Sequence, residues 1–246
     1  MITPWVLRLM LANGLMFVLQ TLRPGLEREL SFVPAEFLLR PWTLVTYMFL
    51  HGGFLHIFMN MLGLFFFGPR LELELGSRGF VGIYFTSGMT GALLSFVHPM
   101  TGIIGASGAV YGVMLGFAAF WPRAPIYVWG VLPVEARTMV VVLTLLSLWG
   151  GLGGGGDGIA HFGHLGGFLG GYLFLRFRRA RMRSITGAAP SAPRPGEVLR
   201  WRNIPREHLH PVNREELDRI LAKLEQAGPG SLTDAERGFL DRFSRD

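Results

Sequence analysis

The chain has 246 residues, a formal net charge of +6 and a sequence pI near 10.4. That basicity suggests a nucleic-acid partner, yet half the residues are apolar, only 16% are charged and the mean hydropathy is positive. An ordinary soluble domain carries roughly 25% charged residues, so that class is excluded, and zero Cys excludes disulfides, thiolate metal sites and cysteine nucleophiles.

A membrane-spanning helix needs about 20 mostly apolar residues. In chain order, residues 4–20 form the first such run, weakened by Arg8. No small-x-small cleavage pattern follows it, so it reads as a retained helix rather than a removed signal. Residues 54–67, extending to Leu71, form the second. Residues 80–97 and 103–121 are the third and fourth. Residues 138–149 are a short fifth, preceded by an apolar stretch, 126–134, that is broken by Pro133. Residues 159–177 are the sixth. The expected fold class is therefore all-α, a polytopic membrane protein with six transmembrane helices.

The charge has an address. Residues 1–175 net +1, residues 176–206 net +8, and residues 207–246 net −3. The basic run Arg176, Arg178, Arg179, Arg181, Arg183 directly follows the sixth span, as a stop signal on the cytoplasmic side would. An even number of spans then puts both termini in the cytoplasm, in a multi-pass plasma membrane protein of the bacterial inner-membrane type. The loops around 98–103 and 148–158 lack Lys and Arg, as outer loops should. The first outer loop does not, since it holds Arg23, Arg28 and Arg40. Nucleic acid is not an expected partner, because base-stacking aromatics are not interleaved with the basic run, apart from Trp201.

The domain expectation is a membrane domain over 1–183, a Pro- and Arg-bearing linker over 184–212, and a two-helix cytoplasmic module over 213–246. In that module Asn213 with Glu216, and Thr233 with Glu236, look like helix-capping pairs. The partner of this module is unknown from sequence.

Polar residues within membrane spans are costly and mark function by default. His56 and Asn60, Ser107, and His161 with His164 stand out. Counted from the starts of their spans, Ser107, His164 and Asn60 fall in one layer roughly 6–9 Å below the outer face at about 1.5 Å per helical residue. A serine hydroxyl needs an adjacent base to act as a nucleophile, imidazole is the usual one, and the resulting oxyanion needs preplaced donors. His56 and Asn60, four apart on one helix face, and the backbone N–H of Ser107 can supply them. Ser107 lies in Gly105-Ala106-Ser107-Gly108, whose small residues expose the hydroxyl. Gly108, Gly112 and Gly116, and likewise Gly163, Gly167 and Gly171, recur every four residues as in close helix packing. That seam favours His164 over His161 as the base. Asp157, about 10 Å before His164 along a helix, is too far to complete a triad, which leaves a Ser–His dyad.

These motifs resemble the rhomboid family of intramembrane serine proteases over residues 38–177. The matching pieces are His56-x-x-x-Asn60, Gly105-Ala106-Ser107-Gly108 with Tyr111, and Ala160-His161-Phe162-Gly163-His164-Leu165-Gly166-Gly167. The resemblance implies Ser107 as nucleophile, His164 as general base, Tyr111 packed on the imidazole, and His56 and Asn60 at the oxyanion. It implies that Glu72, before Gly76-Ser77, helps to pin the first loop. Many members have Trp-Arg in that loop, whereas Trp42 here precedes Thr43, which puts the loop's anchoring in question. The terminal helices resemble an appendage of some bacterial members.

Three functions follow as alternatives. One is an endopeptidase cleaving transmembrane-helix substrates near the outer face, with the lipid bilayer as its medium and no cofactor or metal. Another is an inactive rhomboid-like protein that binds membrane clients. The third is a metal centre of His56, His161 and His164, which lacks the H-E-x-x-H pattern. A transporter would show inverted repeats, and none is obvious.

Overall fold

In the computed structural model, residues 2–128, 130–153, 160–186, 193–207, 209 and 211–244 are described. They fall into two compact units, Met1–Arg181 and Met182–Asp246. Asp157 and most of the 184–192 stretch lie outside the described residues.

The first unit is a helical bundle. α1 (Pro4–Leu22) begins with Pro at its first position, where the missing N–H costs nothing. The long loop that follows carries the short helices α2 (Leu26–Leu30) and α3 (Thr43–Thr46). α4 (Phe54–Leu94) is one hydrogen-bonded stretch broken by a kink at Gly76, where φ is 71° and ψ 159°. An L side chain rarely adopts that backbone, so Gly76 divides α4 into two arms, 54–75 and 77–94, the second and third spans. The guanidinium of Arg178 donates to the Leu75 carbonyl across that kink, at 2.9 Å. α5 (Ser107–Phe120), α6 (Ala136–Leu152) and α7 (His161–Thr186) complete six membrane segments. α1 and the Phe54–Val97 stretch are long and apolar enough to cross a membrane by length and composition, while α5 and α6 are shorter apolar helices.

Two sequence expectations shift here. The fourth span was expected from residue 103, but α5 starts at Ser107. Residues before it run extended, and Ile103 pairs with Phe32 of the first loop through two backbone bonds of 3.1 and 2.9 Å. Ser107 is thus the first residue of its helix, not the fifth of a span. The stretch broken by Pro133 is a β-hairpin, β1 (Pro125–Val128) with β2 (Leu132–Glu135). Its alternating, β-branched run suits a strand better than a helix.

Glycine decides how the bundle packs. A Cβ on Gly167 would meet the backbone of Gly108, and one on Gly171 would lie 3.0 Å from the Cα of Gly112. The expected seam between the fourth and sixth spans is therefore present. Gly116 departs from it, since it faces Leu71 and Ile83 of α4. The neighbouring glycines have their own role. A Cβ on Gly166 would lie 2.7 Å from the Cα of Gly91, and one on Gly170 2.7 Å from the Cα of Ser87. Each Gly-Gly pair of α7 thus gives one residue to α5 and one to the second arm of α4.

The second unit also differs from expectation. Residues 195–202, read as linker, form α8 (Pro195–Arg202). Its Trp201 is buried with Ile204 and Leu209 against Leu217, Ile220 and Leu224 of α9 (Pro211–Ala227) and Leu240 of α10 (Asp234–Phe243). The Trp201 indole donates to Asp241 at 2.8 Å. α9 begins at Pro211, so Asn213 lies inside the helix and does not cap it. The Thr233–Glu236 capping box is formed, with Glu236 N–H donating to the Thr233 hydroxyl and Thr233 N–H to the Glu236 carboxylate.

Candidate active site

The nucleophile candidate sits where an extended segment turns into α5. Gly105 has φ +120° and its N–H donates to the Tyr47 carbonyl at 2.9 Å. Tyr47 is itself fixed by its hydroxyl, which donates to the Gly88 carbonyl at 2.7 Å. Ser107 is then the first helical residue, where the amides of the first turn have no partner within the helix and carry the positive end of its dipole.

α7 brings the imidazole. His164 Nε2 lies 2.8 Å from Ser107 Oγ, although 57 residues separate them. The seam described above makes this approach possible, because Gly163, Gly167, Gly108 and Gly112 interpose no side chains. Tyr111, one turn after Ser107, stacks on the His164 ring at 4.2 Å and 20°, and Phe168, one turn after His164 on α7, also packs on Tyr111 at 4.8 Å. The Tyr111 ring thus supports one face of the imidazole.

His56 approaches from α4. A Cβ on Gly105 would lie 2.6 Å from His56 Nε2 and 3.8 Å from Ser107 Oγ, so only a glycine there lets both groups face one small space. The His56 Nδ1 atom accepts the Gly52 N–H at 3.3 Å. An amide can only donate, so neutral His56 carries its proton on Nε2 and is a donor toward that space. Asn60 is buried one turn on and ties one amide proton to the His56 carbonyl at 2.9 Å, which leaves it one more. Ser107, His164, His56, Gly105 and Tyr111 are thus brought together, with Asn60 on the same helix face as His56.

Other expectations are redirected. His161 packs against Gly150 of α6, and its ring is edge-on to His164 at 6.4 Å. Among the described residues no three metal-ligating side chains converge. Glu72 does not pin the first loop. Its buried carboxylate accepts the N–H groups of Trp5 and Val6 at 3.1 Å each, and the Ser77 hydroxyl at 2.9 Å. It therefore caps α1 from across the bundle. The first loop is anchored differently. Arg40, Trp42 and Thr46 donate to the consecutive carbonyls of Arg28, Glu29 and Leu30, at 3.0, 3.3 and 2.8 Å. These are the orphan acceptors at the end of α2, so the loop is secured without an arginine at position 43.

Sequence reasoning missed His51. It is buried, lies edge-on to His56 at 5.0 Å, and its peptide is clamped by the Gln20 side chain of α1 at both N–H and C=O. His51 precedes α4 in irregular backbone, so helical spacing from His56 could not relate the two rings.

A serine and an imidazole in contact within an all-α membrane bundle define the class. A profile described as Rhomboid domain matches residues 39–181, and the chain belongs to the rhomboid family. It is 36% identical over 134 residues to RHOMBOID-like protein 4 of Arabidopsis thaliana, covering 54% of this chain and 32% of that one. It is 32% identical over 160 residues to Rhomboid-like protease 3 of Toxoplasma gondii, covering 63% of this chain and 58% of that one. It is 33% identical over 134 residues to Rhomboid protease GluP of Bacillus subtilis, covering 54% of this chain and 25% of that one. The match spans less than two thirds of each relative's length.

Proposed function

We propose that the protein is an intramembrane serine endopeptidase that cleaves transmembrane-helix substrates near the outer membrane face with a dyad of Ser107 and His164. The observation that carries this is the 2.8 Å contact between His164 Nε2 and Ser107 Oγ. In the Nδ1–H tautomer, Nε2 takes the serine proton as Oγ attacks the substrate carbonyl carbon. The carbonyl oxygen becomes an oxyanion, which accepts hydrogen bonds from the His56 Nε2–H, the free amide proton of Asn60 and the Ser107 N–H. His164 then gives its proton to the leaving amine, and the C–N bond breaks to leave an acyl-serine. Water, deprotonated by the same imidazole, releases the acid and restores the hydroxyl. Amides in an intact helix are paired, so the site favours segments that unwind, with small residues at the cut and Gly or Pro nearby.

The membrane domain, its C-terminal module and an orientation with both termini cytoplasmic in a bacterial inner membrane belong to the same reading. It is supported by the even number of membrane segments and by Arg176, Arg178, Arg179 and Arg181 at the end of α7. A fluorophosphonate probe and a transmembrane substrate, offered to the wild type, Ser107→Ala and His164→Ala in detergent, test the chemistry. Labelling and cleavage are expected in the wild type alone. A wild type that holds the substrate helix but neither labels nor cuts would instead be a client-binding protein.

A further inference from the structure

The hairpin between α5 and α6 has no part in the site. α5 runs 14 residues from Ser107, about 21 Å at 1.5 Å per residue, so the hairpin emerges at the membrane face opposite the serine. Its base is closed and fixed. Ala136 N–H donates to the Ala124 carbonyl at 3.0 Å, Arg137 N–H donates to Pro122, and both alanines are buried in the bundle core. Ile126 packs on that core as well. The rest turns outward. Residues 124–134 contain no charged side chain, and Tyr127, Val131 and Leu132 are 61%, 79% and 61% exposed. The turn is tight, with Gly130 at φ +74° and its N–H donating to the Tyr127 carbonyl. A two-stranded hairpin with bare apolar residues is marginal in water.

We propose that this hairpin is seated in the headgroup and upper acyl region of the bilayer that holds the bundle, and that a lipid surface is its partner. Two observations select lipid. The helix that follows the hairpin, α6, is itself apolar where it is exposed, with Val141, Val142, Leu145, Leu148 and Trp149 facing outward from a membrane bundle. At its base Arg137 is paired with Glu135 at 2.6 Å, and the exposed Arg123 is left as the net positive charge flanking the uncharged run, which suits anionic headgroups beside an apolar insertion. Tyr at the boundary is what an interface favours.

The chain has no cysteine, so Val131→Cys in the full chain takes a single nitroxide. Reconstitution uses vesicles of phosphatidylcholine with phosphatidylglycerol. Power saturation compares collision with oxygen, which concentrates in lipid, and with a water-soluble nickel chelate. Leu132→Cys repeats the measurement in case one substitution disturbs the turn, and Gly238→Cys on the exposed side of α10 reports water. The oxygen-to-nickel ratio at both hairpin positions is expected to exceed that at 238 several-fold. A ratio equal to that at 238 overturns the proposal. So does shielding from both reagents, whether with spin–spin broadening that disappears on dilution by unlabelled protein, which signals a second copy, or without it, which signals another protein surface.

Discussion

Gly167 and Gly108 meet backbone to backbone, and a Cβ added to Gly167 would lie 2.7 Å from the Gly108 carbonyl carbon. No side chain can relax to absorb that clash, so α7 must move away from α5 and carry His164 off Ser107. Gly167→Ala should lower probe labelling of Ser107 by about two orders of magnitude, since small misplacements cost that much, and destabilise the bundle by about 1–3 kcal/mol. Gly14→Ala, where nothing lies within 4 Å, should be neutral. Equal labelling in the two variants would dissociate the seam from the site.

Tyr111 gives a second test. Its ring, stacked 4.2 Å from His164, orients the imidazole. Tyr111→Phe keeps the ring and should keep most of kcat. Tyr111→Ala removes it and should lower kcat more than it raises KM, because the loss falls on the geometry of proton transfer. Cleavage kinetics on one transmembrane substrate decide between these outcomes.

Glu72 predicts a stability effect remote from Ser107. Its carboxylate accepts two amides of the first turn of α1 and the Ser77 hydroxyl. Glu72→Ala strands those donors in a buried place, a loss of about 2–3 kcal/mol for bonds to a charged acceptor. Glu72→Gln retains an acceptor and should lose less. Denaturant unfolding in detergent, with hydrogen exchange at residues 5–8, measures both the size and the place of the effect.

The C-terminal module carries a pH dependence. Burial pushes the Glu236 carboxyl up, but hydrogen bonds from Lys223, Thr233 and Arg219 outweigh it and hold the group down at about 2. The folded value lies below that of a free carboxyl, so the stabilisation is complete above about pH 4.3 and is lost as pH falls toward 2. In the full chain, a fluorophore on Gly238→Cys should report unfolding of α10 in that window. Glu236→Gln should lower stability at pH 7 and flatten the acid dependence.

The six spans, the order of the polar residues and the Ser107–His164 pairing are legible in the sequence, because apolar run length and small-residue spacing are local signals. Contacts made through irregular backbone are not. Nothing local relates Glu72 to Trp5, or Gln20 to His51, since each bond joins an element to a partner chosen by tertiary packing. The start of α5 is misjudged for a related reason. Residues 103–106 are as apolar as a helix interior, but the Phe32 bridge and the positive φ of Gly105 draw them out straight. The α8 helix escapes because a single buried Trp201 in a Pro- and Arg-bearing stretch leaves no periodicity to read.

The separation of 57 residues between Ser107 and His164 also bears on how the molecule is made. The serine is synthesised two membrane helices ahead of its imidazole. The Leu75 carbonyl at the Gly76 kink likewise waits for Arg178, on the same last helix, to receive its donor. Insertion of α7 therefore completes two things at once, the bend that shapes the early helices and the only described imidazole in contact with the serine hydroxyl. On the proposed reading, a chain stalled before that point lacks the base that would activate Ser107, so any catalysis waits for the last membrane helix.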